Sequence, residues 1–287
     1  MPKLSDHQSN QYTKLLLEGD SGSGKTGSLA SLVAAGYKLR ILDFDNGLDA
    51  LKAFVMRSSP ENIDNVEFRT LRDKRKAGPE GPVIDGVPKA FPTALKMLDR
   101  WKYTDDGGSE VDLGVPSQWG PDHILVLDSL TFLSDAAFDF REPLAQRGRD
   151  GKYDVRAVYK DSQDAIESVL ALLTSETFRT NVIVTSHIRY VDNPDGTKKG
   201  YPTSVGSALS PVIPRYFNTV ALCETKAGGK RSIRTAATAM IDLKNPKPFE
   251  MGKEYDIENG LAEVFKVLRQ TEAPVARPAA VTLKRRI

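Results

Sequence analysis

Residues 18–32 read EGDSGSGKTGSLASL, and the fold is decided there. The apolar run KLLL, residues 14–17, leads in, and an Ala/Leu-rich run leads out. Gly19, Gly24, Lys25 and Thr26 meet the spacing G-x-x-x-x-G-K-[ST], with a further glycine at Gly22. To hold a phosphate, successive backbone N–H groups must converge on one concavity. Glycine permits the close approach and the unusual dihedrals that this requires. A helix starting near Lys25 turns its partly positive end toward the same anion. The expected nucleotide cradle is therefore Gly19, Asp20, Ser21, Gly22, Ser23, Gly24, Lys25, Thr26 and Gly27. Lys25 is expected to reach the β- and γ-phosphates of ATP, and the Thr26 hydroxyl to be a ligand of Mg2+. The alternative is an ordinary Gly/Ser turn, which does not require strand, loop and helix in that order.

Outward from this loop, apolar strands alternate with amphipathic helices. Strands are predicted at 14–18, 39–44, 66–70, 123–128 and 181–186, and helices at 25–35, 47–57, 91–103, 130–142 and 154–178. In the last helix Val155, Val158, Tyr159, Ala165, Ile166, Val169, Leu170 and Leu173 recur at three- and four-residue steps. The alternation predicts an α/β fold, a mostly parallel twisted sheet with helices on both faces. FNTVALCET (217–225) and RSIRTAA (231–237), joined by KAGGK, predict a C-terminal β-hairpin extending that sheet. Residues 72–90 and 104–121 read as surface loops. The polar residues 1–12 read as a flexible arm, 13–270 as one ATPase domain, and the Ala/Pro-rich 271–287 as a disordered basic tail.

Composition narrows the function only slightly. In 287 residues, Lys+Arg 40 against Asp+Glu 38 gives a net charge of +2, so any anionic partner must be held by local patches. The single cysteine, Cys223, excludes an internal disulfide and a cysteine-rich zinc site. The sequence has no long apolar run and no export leader, so a cytoplasmic protein with no membrane partner is expected.

Hydrolysis of a Mg-nucleotide needs more than a cradle. It needs a carboxylate in the metal shell, a group that positions water and a group that senses the γ-phosphate. Open α/β sheets place such groups at strand carboxyl ends. HILVLDSL ends a strand in Asp128, a metal-shell candidate that could instead cap the following helix, as could Ser129. RILDFDNGLD ends one in Asp43 and Asp45, either of which could polarise water or cap a helix. NVIVTSHIRY ends one in Ser186 and His187, where a polar side chain can touch the γ-phosphate.

In that order, GDSGSGKT, DFDNGLD, ILVLDSL and TSHIR resemble the ATPase core of RecA-type recombinases, and most closely the phage-encoded RecA-like ATPases associated with single-strand annealing. The resemblance spans roughly residues 13–240. The "DS" and "H-I-R" strings are more particular to the group than the phosphate loop. The resemblance implies a RecA-like core in which Asp45 stands where a glutamate activates water, a shorter side chain than the family carries. Asp128 matches the Mg2+-shell aspartate. His187 matches a glutamine that couples the γ-phosphate to DNA, with added pH sensitivity. It also implies that the strand carrying His187 lies between the loop strand and the Asp128 strand.

The same resemblance maps single-stranded DNA onto AQRGRDGKY (145–153) and RYVDNPDGTKKGYPTSVG (189–206). These stretches are Gly-containing and basic. The candidate contacts are Arg147, Arg149 and Lys152 in the first, and Arg189, Tyr190, Lys198, Lys199 and Tyr201 in the second. Cations neutralise phosphates, and aromatic faces stack bases for ~1–3 kcal/mol each. A homo-oligomer, filament or ring, is implied, and the basic tail could contact a single-strand-binding protein. AFPTAL (90–95) contains an F-x-x-A string of the kind that docks neighbouring subunits in some relatives, but Pro92 near a helix start favours local helix initiation. Lys244 is a candidate cation for a neighbouring subunit's γ-phosphate. The rival readings are a helicase or packaging motor on the same core, and a nucleotide-dependent switch or scaffold with no DNA partner.

Overall fold

The computed structural model describes residues 11–79, 81–105, 107–149 and 151–269. The chain opens with β1 (Lys14–Gly19), α1 (Lys25–Ser28), α2 (Ala30–Ala34), β2 (Lys38–Asp43), α3 (Asp49–Ser58) and β3 (Val66–Thr70). A hairpin follows, β4 (Arg75–Gly78) and β5 (Gly81–Ile84), then α4 (Ala90–Asp99) and a second hairpin, β6 (Lys102–Thr104) and β7 (Glu110–Asp112). Next come β8 (Gly120–Asp128), α5 (Leu130–Arg141), α6 (Val155–Thr174) and β9 (Thr180–Ser186). A third hairpin, β10 (Ile188–Asp192) and β11 (Lys198–Pro202), precedes β12 (Thr219–Thr225), β13 (Arg231–Arg234), β14 (Glu254–Asp256) and α7 (Gly260–Arg269).

The main sheet has eight strands in the order β14-β13-β12-β1-β9-β8-β2-β3. From β12 to β3 all neighbours are parallel, whereas β13 and β14 join antiparallel. The expected architecture is present, and the C-terminal hairpin does extend the sheet. β9 lies between β1 and β8, the placement the sequence resemblance implies.

Strands buried on both faces explain the near-continuous apolar runs. Along β1, Leu15 and Leu17 pack with Leu32, Leu51, Val55, Leu261 and Phe265, which belong to α2, α3 and α7. Leu16 points the other way, with Phe91, Leu133, Ile166 and Leu170 of α4, α5 and α6. Helix α6 begins at an Asp154 side chain that accepts from the Arg156 N–H, and it buries Val158, Ile166, Val169, Leu170 and Leu173. Val155 and Tyr159, placed on the same stripe by spacing, stay exposed, and Tyr159 stacks on Phe138 instead.

Several boundaries shift for identifiable reasons. The helix expected at 25–35 is two short pieces joined at Leu29, whose N–H reaches Thr26 O at 3.3 Å rather than one residue further back. α4 stops at Asp99 because Trp101 turns, fully buried, into the core and exchanges backbone bonds with Leu113 and Gly114. α6 stops at Thr174, and Phe178 leaves it to enter the core. The loops expected at 72–90 and 104–121 contain the β4–β5 and β6–β7 hairpins. Phe91 and Ala94 of the F-x-x-A string are each 1% exposed, so that string builds the core rather than a docking surface. Residues 1–10 of the expected arm and the tail 271–287 lie outside the described residues. Among the described residues no helix is long and apolar enough to cross a membrane.

Candidate active site

The carboxyl ends of β1, β9, β8 and β2 meet around the glycine loop. Gly19 cannot be replaced there. An added Cβ would stand 2.4 Å from Ser23 Oγ and 2.6 Å from Cys223 O, so the loop passes within backbone contact of β12. Gly24 caps α1 with φ at 100°, in the left-handed region that glycine tolerates best. Lys25 Nζ folds back over the cradle and donates to Gly19 O at 2.8 Å and Asp20 O at 3.1 Å.

Asp128 is fully buried at the end of β8. Its Oδ2 accepts from Thr26 Oγ1 at 2.8 Å and its Oδ1 from Thr185 Oγ1 at 2.5 Å. Ser129, joined to Asp128 by a cis peptide bond, donates from Oγ to Asp45 Oδ1 at 2.8 Å. Thr26, Asp128, Ser129 and Asp45 thus form one connected edge opposite Lys25. Asp43 has a different job. Its carboxylate accepts from the Asn46 N–H at 2.8 Å and from Thr70 Oγ1 at 2.9 Å, shaping the turn after β2. Asp45 is therefore the acid that faces the cleft.

His187 is held through its main chain, whose N–H donates to Thr131 Oγ1 at 3.2 Å, while its half-buried ring meets Phe132 edge-on at 6.0 Å. The Lys25 charge acts on Asp45, Asp128 and His187 alike. The groups expected to share a ligand are thus brought into one electrostatic neighbourhood.

Burial is the largest influence on each of the titratable groups at the site, acids and bases alike. Burial pushes the Asp128 carboxyl up, against the hydroxyls of Thr185 and Thr26 that pull it down. Burial also raises Asp45, opposed by Ser129 and then Lys25. Burial lowers the Lys25 ammonium, although the acids around it pull the other way. Burial, then Lys25, lowers the His187 imidazole, which keeps it neutral near pH 7. A hydroxyl and a buried carboxylate 2.8 Å apart form an all-oxygen donor set of the kind Mg2+ takes, so the residues fit that ion.

The candidate DNA residues are more dispersed. The stretch after β9, expected as a loop, is the β10–β11 hairpin. Its register places Arg189, Lys199 and Tyr201 on one face and Tyr190 and Lys198 on the other. Lys199 pairs with Asp242 at 2.6 Å and Lys198 with Asp192 at 3.6 Å. Tyr190 reaches back to the cradle, its hydroxyl 3.4 Å from Asp20 Oδ2. Arg147 lies over the Tyr153 ring and donates to Gly151 O at 3.1 Å, while Arg149 and Lys152 are exposed. Lys244 is not free for a neighbouring subunit. Its Nζ donates to Pro214 O at 2.7 Å and Phe217 O at 3.1 Å, closing the carbonyls of the turn before β12.

Spacing missed three groups. Thr185 sits one residue inside the strand end, where its hydroxyl reads as ordinary strand composition. Thr131 lies in the first turn of α5. Arg72, hidden in a Lys/Arg-rich stretch, donates from Nη1 to Asp45 O at 3.3 Å.

Comparison with known proteins gives a family. The family model described as AAA domain matches residues 11–246. No curated protein matches the chain. Among solved structures, one titled "Crystal structure of the RadB recombinase" is similar at 15% identity and a TM-score of 0.45, covering 88% of this chain and 90% of that one.

Proposed function

The chain belongs to the AAA domain family and is a P-loop ATPase; from that premise we propose that it binds single-stranded DNA as an oligomer and promotes recombination or strand annealing of the phage type. The observation that carries the catalytic part is the connected set Thr26–Asp128–Ser129–Asp45 facing Lys25 across a glycine cradle. In this reading Gly19–Gly27 wrap the phosphates and Lys25 leaves its carbonyl partners for the β- and γ-phosphates. Thr26 and, through water, Asp128 would hold Mg2+, which when bound would supply positive charge at the phosphate oxygens. Asp45, fixed by Ser129, orients a water and accepts its proton. Neutral His187 meets the γ-phosphate and is continuous with β10, so its position is felt at the hairpin.

Two features support the DNA part: the hairpin follows the sensing residue directly, and it carries Arg189 and Tyr201 side by side in register. The recombination role rests on the motif resemblance. The pairing of Lys198 and Lys199 with carboxylates favours, as a second reading, a nucleotide-dependent switch without DNA.

The test is phosphate release and retention of a labelled oligonucleotide, with wild type and Lys25→Ala. Wild type is expected to hydrolyse ATP and retain the oligonucleotide, and Lys25→Ala to lose ATP binding. If Lys25→Ala keeps both binding and turnover, the site is misassigned. An oligonucleotide that runs free at low salt leaves the switch reading.

A further inference from the structure

One cation approaches the site from a direction that motif spacing does not reveal. Arg72 follows β3, and both of its chain neighbours are anchored. Leu71 is 5% exposed, and its N–H donates to Asp43 O at 2.8 Å. Asp73 accepts from the Lys89 N–H at 2.7 Å and the Ala90 N–H at 3.2 Å, closing the first turn of α4. Between these anchors the Arg72 backbone is fixed, while its side chain stands exposed.

That side chain lies along the site's rim. Its Nη1 donates to Asp45 O at 3.3 Å, and its guanidinium lies over the Phe132 ring, 5.9 Å from the centroid. Phe132 in turn meets the His187 ring. One chain of contacts, Arg72–Phe132–His187, thus runs from the water-positioning acid to the γ-phosphate sensor. Arg75, three residues further along the chain, is by contrast paired with Asp139 at 2.5 Å. Arg72 contacts the Asp45 main-chain carbonyl and the Phe132 ring, and its charge also acts on the Asp45 carboxyl. Its guanidinium keeps its charge and its fork of donors for an anion.

Phosphoryl transfer creates the demand for such a group. Charge spreads over the oxygens of the transferring group, and a cation aimed there lowers the barrier. We propose that Arg72 is the cis-acting catalytic cation of this site, moving from the Asp45 carbonyl onto the γ-phosphoryl oxygens. The proposal rests on the ATPase reading above. In the step itself, the water oxygen bonds to the γ-phosphorus and the bond from that phosphorus to the β–γ bridging oxygen breaks. ADP keeps the electron pair, and the water proton passes to Asp45. Arg72 makes and breaks no covalent bond; it binds the oxygens in flight.

The test compares full-length wild type, Arg72→Ala and Arg72→Lys. Two quantities are read: steady-state ATP hydrolysis, and affinity for a fluorescent ADP with and without aluminium fluoride, a mimic of the transferring group. For Arg72→Ala, kcat is expected to fall about 100-fold or more while KM moves less than about threefold. Arg72→Lys should recover part of the loss. Wild type should bind ADP more tightly when aluminium fluoride is added, and Arg72→Ala should lose that gain while still binding ADP. A kcat for Arg72→Ala within about twofold of wild type, with the gain retained, overturns the assignment and leaves the ATPase reading intact. A change confined to KM overturns it too. A wild type that binds neither ATP nor ADP removes the ATPase reading, and this proposal with it.

Discussion

Glu18 stands one residue before the cradle, 1% exposed, between Ser186 and Leu222 in register. Neither of its carboxylate oxygens has a hydrogen-bond partner among the described residues. Burial, then the nearby Asp242, pushes its carboxyl up from 4.5 to about 8. The native chain therefore keeps a proton that the unfolded chain releases near pH 4.5. The associated stability is fully present below that pH and is lost as pH rises through about 8. Urea unfolding at about pH 5 and about pH 9 should show the wild-type midpoint falling, and Glu18→Gln should remove most of that fall. Equal slopes for the two proteins would show that Glu18 titrates normally. At this scale the sequence reveals groups whose spacing is dictated by the ligand, such as Lys25 and Thr26, and groups that end an apolar strand, such as Asp128. It does not separate Asp43 from Asp45. Both end the same strand, and only the fold shows that Thr70 and Asn46 engage the first and leave the second to the cleft. Arg72 was hidden because its partners, Asp45 and Phe132, come from other elements.

Among the elements, the β10–β11 hairpin shows most clearly why a segment can be legible in function and not in form. Its strands carry Arg, Tyr, Val, Asp and Lys, with exposed residues on both faces, so no apolar period marks them. Its turn is recorded only in the pair Asp195–Gly196, closed by a Gly196 N–H to Asn193 O bond of 3.0 Å. Helix α6, by contrast, was plain from its stripe. The register yields a prediction on the DNA reading. Tyr201→Ala should weaken oligonucleotide binding by about 1–3 kcal/mol, the cost of one lost base stack. Arg189→Ala on the same face should reduce the salt slope by about one phosphate contact. Titrations at several salt concentrations measure both. Unchanged affinity and slope in the double variant would exclude this face from the nucleic-acid interface.

The whole molecule is organised by its strand order. Placing β9 between β1 and β8 carries Thr185 to Asp128 and brings His187 under the influence of the Lys25 charge, so the geometry of the candidate site follows from topology. That layering was readable from alternating apolar runs. The closing pieces, β14 and α7, were not, because they follow a long irregular stretch that gives no rhythm. Yet α7 completes one layer. Leu261 and Phe265 are fully buried against the sheet, Phe265 packs edge-on to Tyr37 at 5.6 Å, and Arg269 Nη1 donates to the Tyr37 hydroxyl at 2.7 Å. Phe265→Ala should cost about 3–5 kcal/mol in urea unfolding and leave nucleotide affinity unchanged. A loss below about 1 kcal/mol would show α7 to be an appendage rather than part of the core. The same end of the chain also shapes how copies can meet. β14 is a three-residue strand whose Glu254 and Asp256 pair with Lys226 and Lys230, leaving a short, charged margin with few free amides and carbonyls. Such a border is a poor template for another chain's backbone. Backbone pairing of a second chain onto that rim is disfavoured, whereas the opposite border of the sheet, β3, is a longer strand of 5 residues.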